Sequence, residues 1–374
     1  MRDSFFYSKN LSIKEKIFNI DFQLFFLIIL LGIISIFAMY STARGNFDYY
    51  TKSHLSRFII FFIIFIISSL LSINFWHRLS YIFYFLVLML LVGVNFFGVT
   101  ASGSTRWINL IVFNLQPSEL MKVAIIVFLA RYYNKIPGHS INSIKFFILP
   151  IFVLFFPFAL VVNQPDLGTA MLILIGGVFV IWLVGLRIKY FMFSSIITLC
   201  LTPVAISFLK PYQKSRILTF FNPERDPLGA GYQIIQSKIA VGSGGIFGKG
   251  YLNGSQSYLD YLPEKHTDFI FTLFSEEFGF AGSVFLLIVY ALIIYRIMLI
   301  GLNSRNNFSR IYCYGFAASF FLYVAVNMSM VLGLLPIVGA PLPIMSYGGS
   351  SMLAMMIGLG IVMSCKVNNQ EAVN

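Results

Sequence analysis

The residues best suited to chemistry run from Leu262 to Gly279, where Leu262-Pro-Glu-Lys-His-Thr-Asp268 leads into Phe269-Ile-Phe-Thr-Leu-Phe-Ser-Glu276-Glu277-Phe-Gly279. Asp268 reads as standing at the mouth of a helix. On a period of about 3.6 residues it shares one face with Thr272, Ser275 and Glu276, a polar stripe that must look at something other than lipid. A carboxylate at a membrane-water boundary can have its pKa tuned, serve as a general base, or hold a divalent cation. The structural alternative is an acid placed in the first turn by the helix dipole, with Thr267 as its cap. Spacing does not separate the two.

A second group is Gly103-Ser-Thr-Arg106-Trp107, followed by Gln116-Pro-Ser-Glu119-Leu-Met-Lys122. Pro117 suits the first turn of a helix, and Glu119 and Lys122, three apart, can pair on it. An unpaired charge deep in a bilayer costs roughly 2.5–3.5 kcal/mol, so such a pair is expected to line a polar cavity or to be a structural ion pair near the surface. Trp107 suits an interfacial belt equally well. Gln164-Pro-Asp166-Leu-Gly168 reads as a tight turn whose acid caps the next helix. Pro336 to Ser350 is apolar but broken by Pro and Gly, as a re-entrant or buried loop would be, and Asn327 ahead of it reads as a hydrogen-bonding residue between helices. Gly242-Ser-Gly-Gly-Ile-Phe-Gly248-Lys249-Gly250 fails the P-loop pattern at its first Gly and at its Ser/Thr and reads first as a flexible turn, though a glycine backbone beside Lys249 also suits a pyrophosphate. The four histidines and three cysteines do not cluster, which argues against zinc and against a disulfide framework.

The elements that position these residues are membrane helices. The 374 residues are 58% hydrophobic and only 11% charged, and about ten apolar stretches reach the roughly 20 residues that cross a bilayer core of about 30 Å. The expectation is an all-α polytopic membrane protein, a single domain over 1–374. Its spans are Phe22–Tyr40, Phe58–Ile73, Leu79–Phe97, Pro117–Tyr132, Phe146–Val162, Gly168–Leu186, Tyr190–Leu209, Asp268–Tyr295, Ile311–Leu332 and Ser346–Ser364. The first apolar run is too long for a signal-peptide core.

Net charge is +12, but the cations sit in short loops, which speaks for membrane orientation and against a nucleic-acid partner. With the amino terminus inside, inner segments hold fourteen Lys and Arg and short outer loops four, so both termini are expected in the cytoplasm. The polar segment 210–267 then becomes one large extracytoplasmic loop, with a short surface helix over Tyr232–Val241 that places Ile234, Ile235 and Ile239 on one face.

In order along the chain, Arg106-Trp107, Gln116–Lys122, Gln164–Gly168, Asp226-Pro-Leu-Gly-Ala-Gly-Tyr232 through Ala240, Gly242–Gly250, Leu262–Phe271 and Pro336–Ser350 resemble the shape, elongation, division and sporulation family. The resemblance spans nearly the whole chain. It implies a peptidoglycan glycosyltransferase of the bacterial inner membrane that polymerises lipid II for cell elongation, working with a class B penicillin-binding protein that cross-links the strands. It also implies that Asp268 is essential to polymerisation. That reaction needs a base for the attacking sugar hydroxyl and positive charge for the departing undecaprenyl pyrophosphate. Asp268 fits the first role, or binds a divalent cation, Mg or Mn, that fills the second. Arg106, Lys122, Arg216 and Lys249 are candidates for the pyrophosphate or for structural pairing, Glu119 for holding Lys122, and Trp107 for contact with substrate. Gly339, Pro341 and Ser346 are expected to shape the cavity.

Two other classes compete. A flippase for the lipid-linked precursor would need charges distributed along a route between the two faces, and a non-catalytic scaffold of the wall machinery would make the Asp268 face dispensable.

Overall fold

Short polar residues open the apolar helices of the computed structural model, which describes residues 12–101, 104–109, 114–143, 145–190, 192–193, 195–196, 200, 207, 209–226, 229–255 and 264–371. Ser12 and Glu15 form a capping box on α1 (Ile13–Phe18). Asp21 accepts from the Leu24 amide to start α2 (Phe22–Thr42), Asp48 from Thr51 to start α3 (Tyr49–Leu70), and Ser72 from Phe75 to start α4 (Ile73–Phe97). Then come strands β1 (Val99–Ala101), β2 (Ser104–Asn109) and β3 (Asn114–Leu115), and helices α5 (Pro117–Asn134), α6 (Lys145–Asn163) and α7 (Leu167–Leu183). The chain continues through α8 (Pro211–Phe221), α9 (Ala230–Ser243), α10 (Ile270–Leu302), α11 (Asn307–Val331) and α12 (Gly349–Val367).

Seven helices, α2, α3, α4, α6, α10, α11 and α12, are long and apolar enough to cross a membrane, which makes this a multi-pass membrane protein. α7 has 17 residues, and α5 carries Glu119, Lys122 and Arg131. α5 is the central helix, buried along nearly its whole length and packed on α4, α7, α11 and α12, so its charges meet protein rather than lipid. The outer helices bury one face only and turn Phe26, Phe85 and Phe152 outward. Every expected span except Tyr190–Leu209 coincides with a described helix. That span lies largely outside the described residues, as do Gly103, Pro227, Leu228, Asp260, Leu262 and Pro263.

Three expectations need correction. The chain is not purely helical, because β1, β2 and β3 form a small antiparallel sheet with Val99 opposite Trp107 and Ile108 opposite Leu115. Among the described residues of 210–267, α8 precedes the expected surface helix, and the buried face of α9 is Gly231, Ile234, Ser237 and Ala240, with Ile239 turned outward. Finally, the helix expected to begin at Asp268 begins at Ile270 and breaks at Gly279, whose φ of 66° no longer continues the spiral.

The break explains the glycine-rich segment. Carbonyls freed at Glu276 and Glu277 accept from the amides of Lys249 and Gly250, at 3.0 Å each, while the amides of Phe280 and Ala281 donate to Gly245 and Ile246, at 2.9 Å each. A broken membrane helix needs its backbone groups satisfied from within the protein, and this segment supplies them. The approach is close: a Cβ on Gly248 would lie 2.0 Å from the Glu277 carbonyl oxygen.

At one end of the bundle Lys16 donates to the Leu70 carbonyl and Asn368 to that of Leu71, so the first and last helices gather around the α3–α4 turn. Asp268 lies at the other end, where His266 meets Thr42 at the close of α2.

Candidate active site

Asp268 sits in the turn 264–269 that precedes α10. Thr267 is not the helix cap: its hydroxyl donates to Glu264 Oε2 at 2.8 Å, and Phe269 occupies the cap position without a side-chain bond. Tyr50, Thr42, Tyr347 and Asn327 hold the turn. The His266 ring stacks on Tyr50 at 4.4 Å and meets Thr42 Oγ1 at 2.9 Å. The Tyr347 amide donates to the His266 carbonyl at 2.8 Å. Asn327 Nδ2 donates to the Asp268 carbonyl at 2.9 Å and to that of Ala340 at 2.7 Å. Gly339, with φ of 71°, completes the wall, and a Cβ there would lie 3.5 Å from Asp268 Oδ2.

The Asp268 side chain is half-buried, open enough to meet a ligand. Its pKa is raised to about 7, first because burial penalises the charged form and next because Glu264 repels it; Arg106 and Arg216 pull the other way, and Asp166 adds to the rise. A carboxyl poised there can accept a proton near neutrality.

The two arginines arrive on different elements. Arg106 extends from β2 to Asp166, Nη1 to Oδ2 3.1 Å. Asp166 also accepts from Gln116 Nε2 at 3.0 Å and caps α7 through the amide and hydroxyl of Thr169, as its place in the turn predicts. Arg216, on α8, donates to the Ile337 carbonyl at 3.1 Å and so steadies the segment that carries Gly339.

Glu119 and Lys122 pair at 2.7 Å, both side chains 4% exposed. Tyr323 closes the pair, its hydroxyl donating to Glu119 Oε2 at 3.0 Å and its ring lying 4.0 Å below Lys122 Nζ. Gln116, which bonds Asp166, opens the helix that carries the pair, so Glu119 lies within one turn of that contact. Trp107 stands on β2 opposite Val99, partly exposed, one residue beyond Arg106.

Lys249 does not join this group. Its Nζ lies 2.6 Å from Glu276 Oε1 and 2.7 Å from Ser255 Oγ, and its amide is spent on the α10 break. The polar stripe likewise faces protein: Thr272 meets Ser237 at 3.2 Å and Ser275 meets Ser283 at 3.0 Å.

Sequence reasoning missed the Arg106–Asp166 pair, which joins segments 60 residues apart and leaves no local pattern. It also missed Tyr323. Tyr323 and Asn327, four apart and so on one face of α11, were the available signal, since both turn polar groups toward the site. Among the described residues no three His, Cys, Asp or Glu side chains gather as a metal cage. Glu264 is the acid whose charge weighs most on Asp268.

Residues 18–371 match the cell cycle protein family of FtsW, RodA and SpoVE. The chain is similar to the peptidoglycan glycosyltransferase MrdB of Escherichia coli K12, 44% identical over 282 residues that cover 75% of this chain and 76% of that one. It is also similar to stage V sporulation protein E of Bacillus subtilis, 36% identical over 291 residues, 77% of this chain and 78% of that one. Among solved structures it resembles a chain from a peptidoglycan synthase complex that coordinates polymerization and crosslinking, with a TM-score of 0.80, 31% identity and coverage of 93% and 97%. It resembles the rod shape determining protein RodA of Thermus thermophilus with a TM-score of 0.70, 26% identity and coverage of 93% and 96%.

Proposed function

This chain belongs to the cell cycle protein family of FtsW, RodA and SpoVE and is a peptidoglycan glycosyltransferase, and we propose that it polymerises lipid II into glycan strands with Asp268 as the essential acid. The observation that carries the assignment to Asp268 is its setting: a half-buried carboxyl, raised to about 7, within the field of two arginines at one end of a membrane bundle. In the proposed step the carboxylate takes the proton of the attacking sugar hydroxyl. The new glycosidic C–O bond forms as the bond from the donor sugar to pyrophosphate breaks, and the electron pair leaves on the undecaprenyl pyrophosphate. In this reading Arg106 and Arg216 supply positive charge for the leaving group, and Lys122, held by Glu119, adds to it.

A divalent cation, Mg or Mn, would be held by Asp268 and Glu264 together with the pyrophosphate, adding positive charge to the leaving group. Trp107 offers a ring for the sugar or for the membrane interface. The topology that accompanies this reading has ten spans, both termini in the cytoplasm, segment 210–267 outside and the chain in the bacterial inner membrane. The partner is a class B penicillin-binding protein, a reading supported by the likeness to the synthase complex. The test is to incubate the purified complex with lipid II and compare glycan products from wild type and Asp268→Ala at matched folding. Loss of polymer only in the variant supports the assignment. Undiminished polymer removes Asp268 from the reaction, and lipid translocation without polymer would favour a flippase.

A further inference from the structure

We propose that Asn327 is a positioning residue for Asp268: its carboxamide ties the acid's turn to the glycine-bearing segment opposite and so fixes where the carboxylate stands. The proposal rests on the assignment of Asp268 made above.

Asn327 is fully buried near the end of α11, and its Nδ2 is the shared donor for the carbonyls of Asp268 and Ala340. Two carbonyl oxygens can only accept, so the amide has one usable orientation, with both N–H groups turned to these segments. Its oxygen is then left without a hydrogen-bond partner among the described residues. A buried acceptor without a donor is unfavourable, so the side chain is not placed for its own satisfaction. The placement makes sense through what it holds.

What it holds is the site. Polar residues in membrane helices usually bond a neighbouring helix, but neither acceptor here belongs to one. One is the acid's own backbone. The other lies one residue from Gly339, whose α-carbon faces Asp268 Oδ2 closely enough that a side chain there would touch it. A single amide therefore sets the spacing between the carboxylate and its opposing wall. The other end of the turn is held separately, by the Tyr347 amide on the His266 carbonyl and by the stacking of His266 on Tyr50. Loss of the amide should therefore free the Asp268 end while the turn stays docked. One helical turn earlier on the same helix, Tyr323 holds Glu119, so α11 references both the acid and the Glu119–Lys122 pair to one rigid element.

The experiment uses the complex with its partner and lipid II as substrate, with kcat and KM measured per folded molecule for wild type, Asn327→Leu, Asn327→Asp and Asp268→Ala. Leu keeps the volume and removes both bonds. Asp keeps the shape and, when ionised, turns acceptors toward two carbonyls; it also serves if the Leu variant fails to fold. The expected result is a fall in kcat of about 10–100-fold in both Asn327 variants, with KM for lipid II within about twofold, as for a misplaced reacting group whose binding site is intact. Unchanged kcat with Asp268→Ala inactive overturns the proposal alone. A rise in KM at unchanged kcat overturns it too, as does reduced folded yield at full kcat per folded molecule. Polymer from Asp268→Ala would instead remove the reading on which the proposal rests.

Discussion

Arg106 and Asp166, 60 residues apart in sequence, meet at 3.1 Å, and the same Asp166 carboxylate caps α7. One acid thus anchors the arginine whose field reaches Asp268 and fixes the start of a helix in the bundle. The two jobs can be separated. Asn is as good a cap as Asp, so Asp166→Asn should keep α7 while releasing Arg106, and polymerisation should fall roughly tenfold at near-wild-type melting temperature. Asp166→Ala should also lose about 1 kcal/mol from the cap. Combining Arg106→Ala with Asp166→Asn should give much less than the product of the single losses, because the two residues act as a unit.

Activity should depend on pH with a defined sign. Asp268 must be ionised to take a proton, and its pKa of about 7 means that polymerisation rises through neutrality and is lost on acidification. The arginines lower that pKa, so Arg106→Gln or Arg216→Gln should move the midpoint of kcat to higher pH. A pH–rate series in both variants checks the direction, and a downward shift would contradict the assigned electrostatics.

Lys249 is expected to matter for stability and not for the pyrophosphate. Lys249→Met leaves Glu276 buried without its cation, and with Lys249 29% exposed the cost should be below the roughly 3–5 kcal/mol of a fully buried pair. The melting temperature in detergent should fall while turnover per folded molecule stays within about twofold. An unchanged melting temperature with lost activity would return Lys249 to the site.

Two glycines of one segment should respond oppositely to alanine. Gly248 has φ of 79° and abuts the Glu277 carbonyl, so Gly248→Ala should disrupt the seam that seals the α10 break and sharply lower stability. Gly242 lies in α9 with nothing within 4 Å of an added Cβ, so Gly242→Ala should be neutral or stabilising, by up to about 1 kcal/mol. Thermal melts of the two variants make the comparison.

The contrast between these two glycines also marks what the sequence makes legible. Long apolar runs specify membrane helices through their own composition, and Asp166 and Pro117 announce helix starts locally. Asp268 stands out because acids are scarce in such a chain. The partners of the glycine-rich segment do not stand out, because they are backbone groups of a helix broken 30 residues later at Gly279. The β2 strand escapes for a similar reason: Ser104–Asn109 is short and gains its pairing from the strands of Val99 and Leu115. Lys249 beside glycines reads as an anion site until Glu276, 27 residues away, takes its charge.

Removal of divalent cation separates the two roles open to Asp268. If it shares a cation with Glu264, chelation should abolish polymer, added Mg or Mn should restore it, and Glu264→Gln should raise the cation concentration needed. Polymerisation indifferent to chelation would leave Asp268 as base alone.

The most direct measurement is turnover by Asp268→Asn in the purified complex, alongside its affinity for lipid II. Asn keeps the shape and the backbone bond to Asn327 but cannot accept the proton. Catalysis by Asp268 predicts lipid II binding within a few-fold of wild type and kcat reduced by at least about 10²-fold. Retained turnover at normal affinity would contradict it.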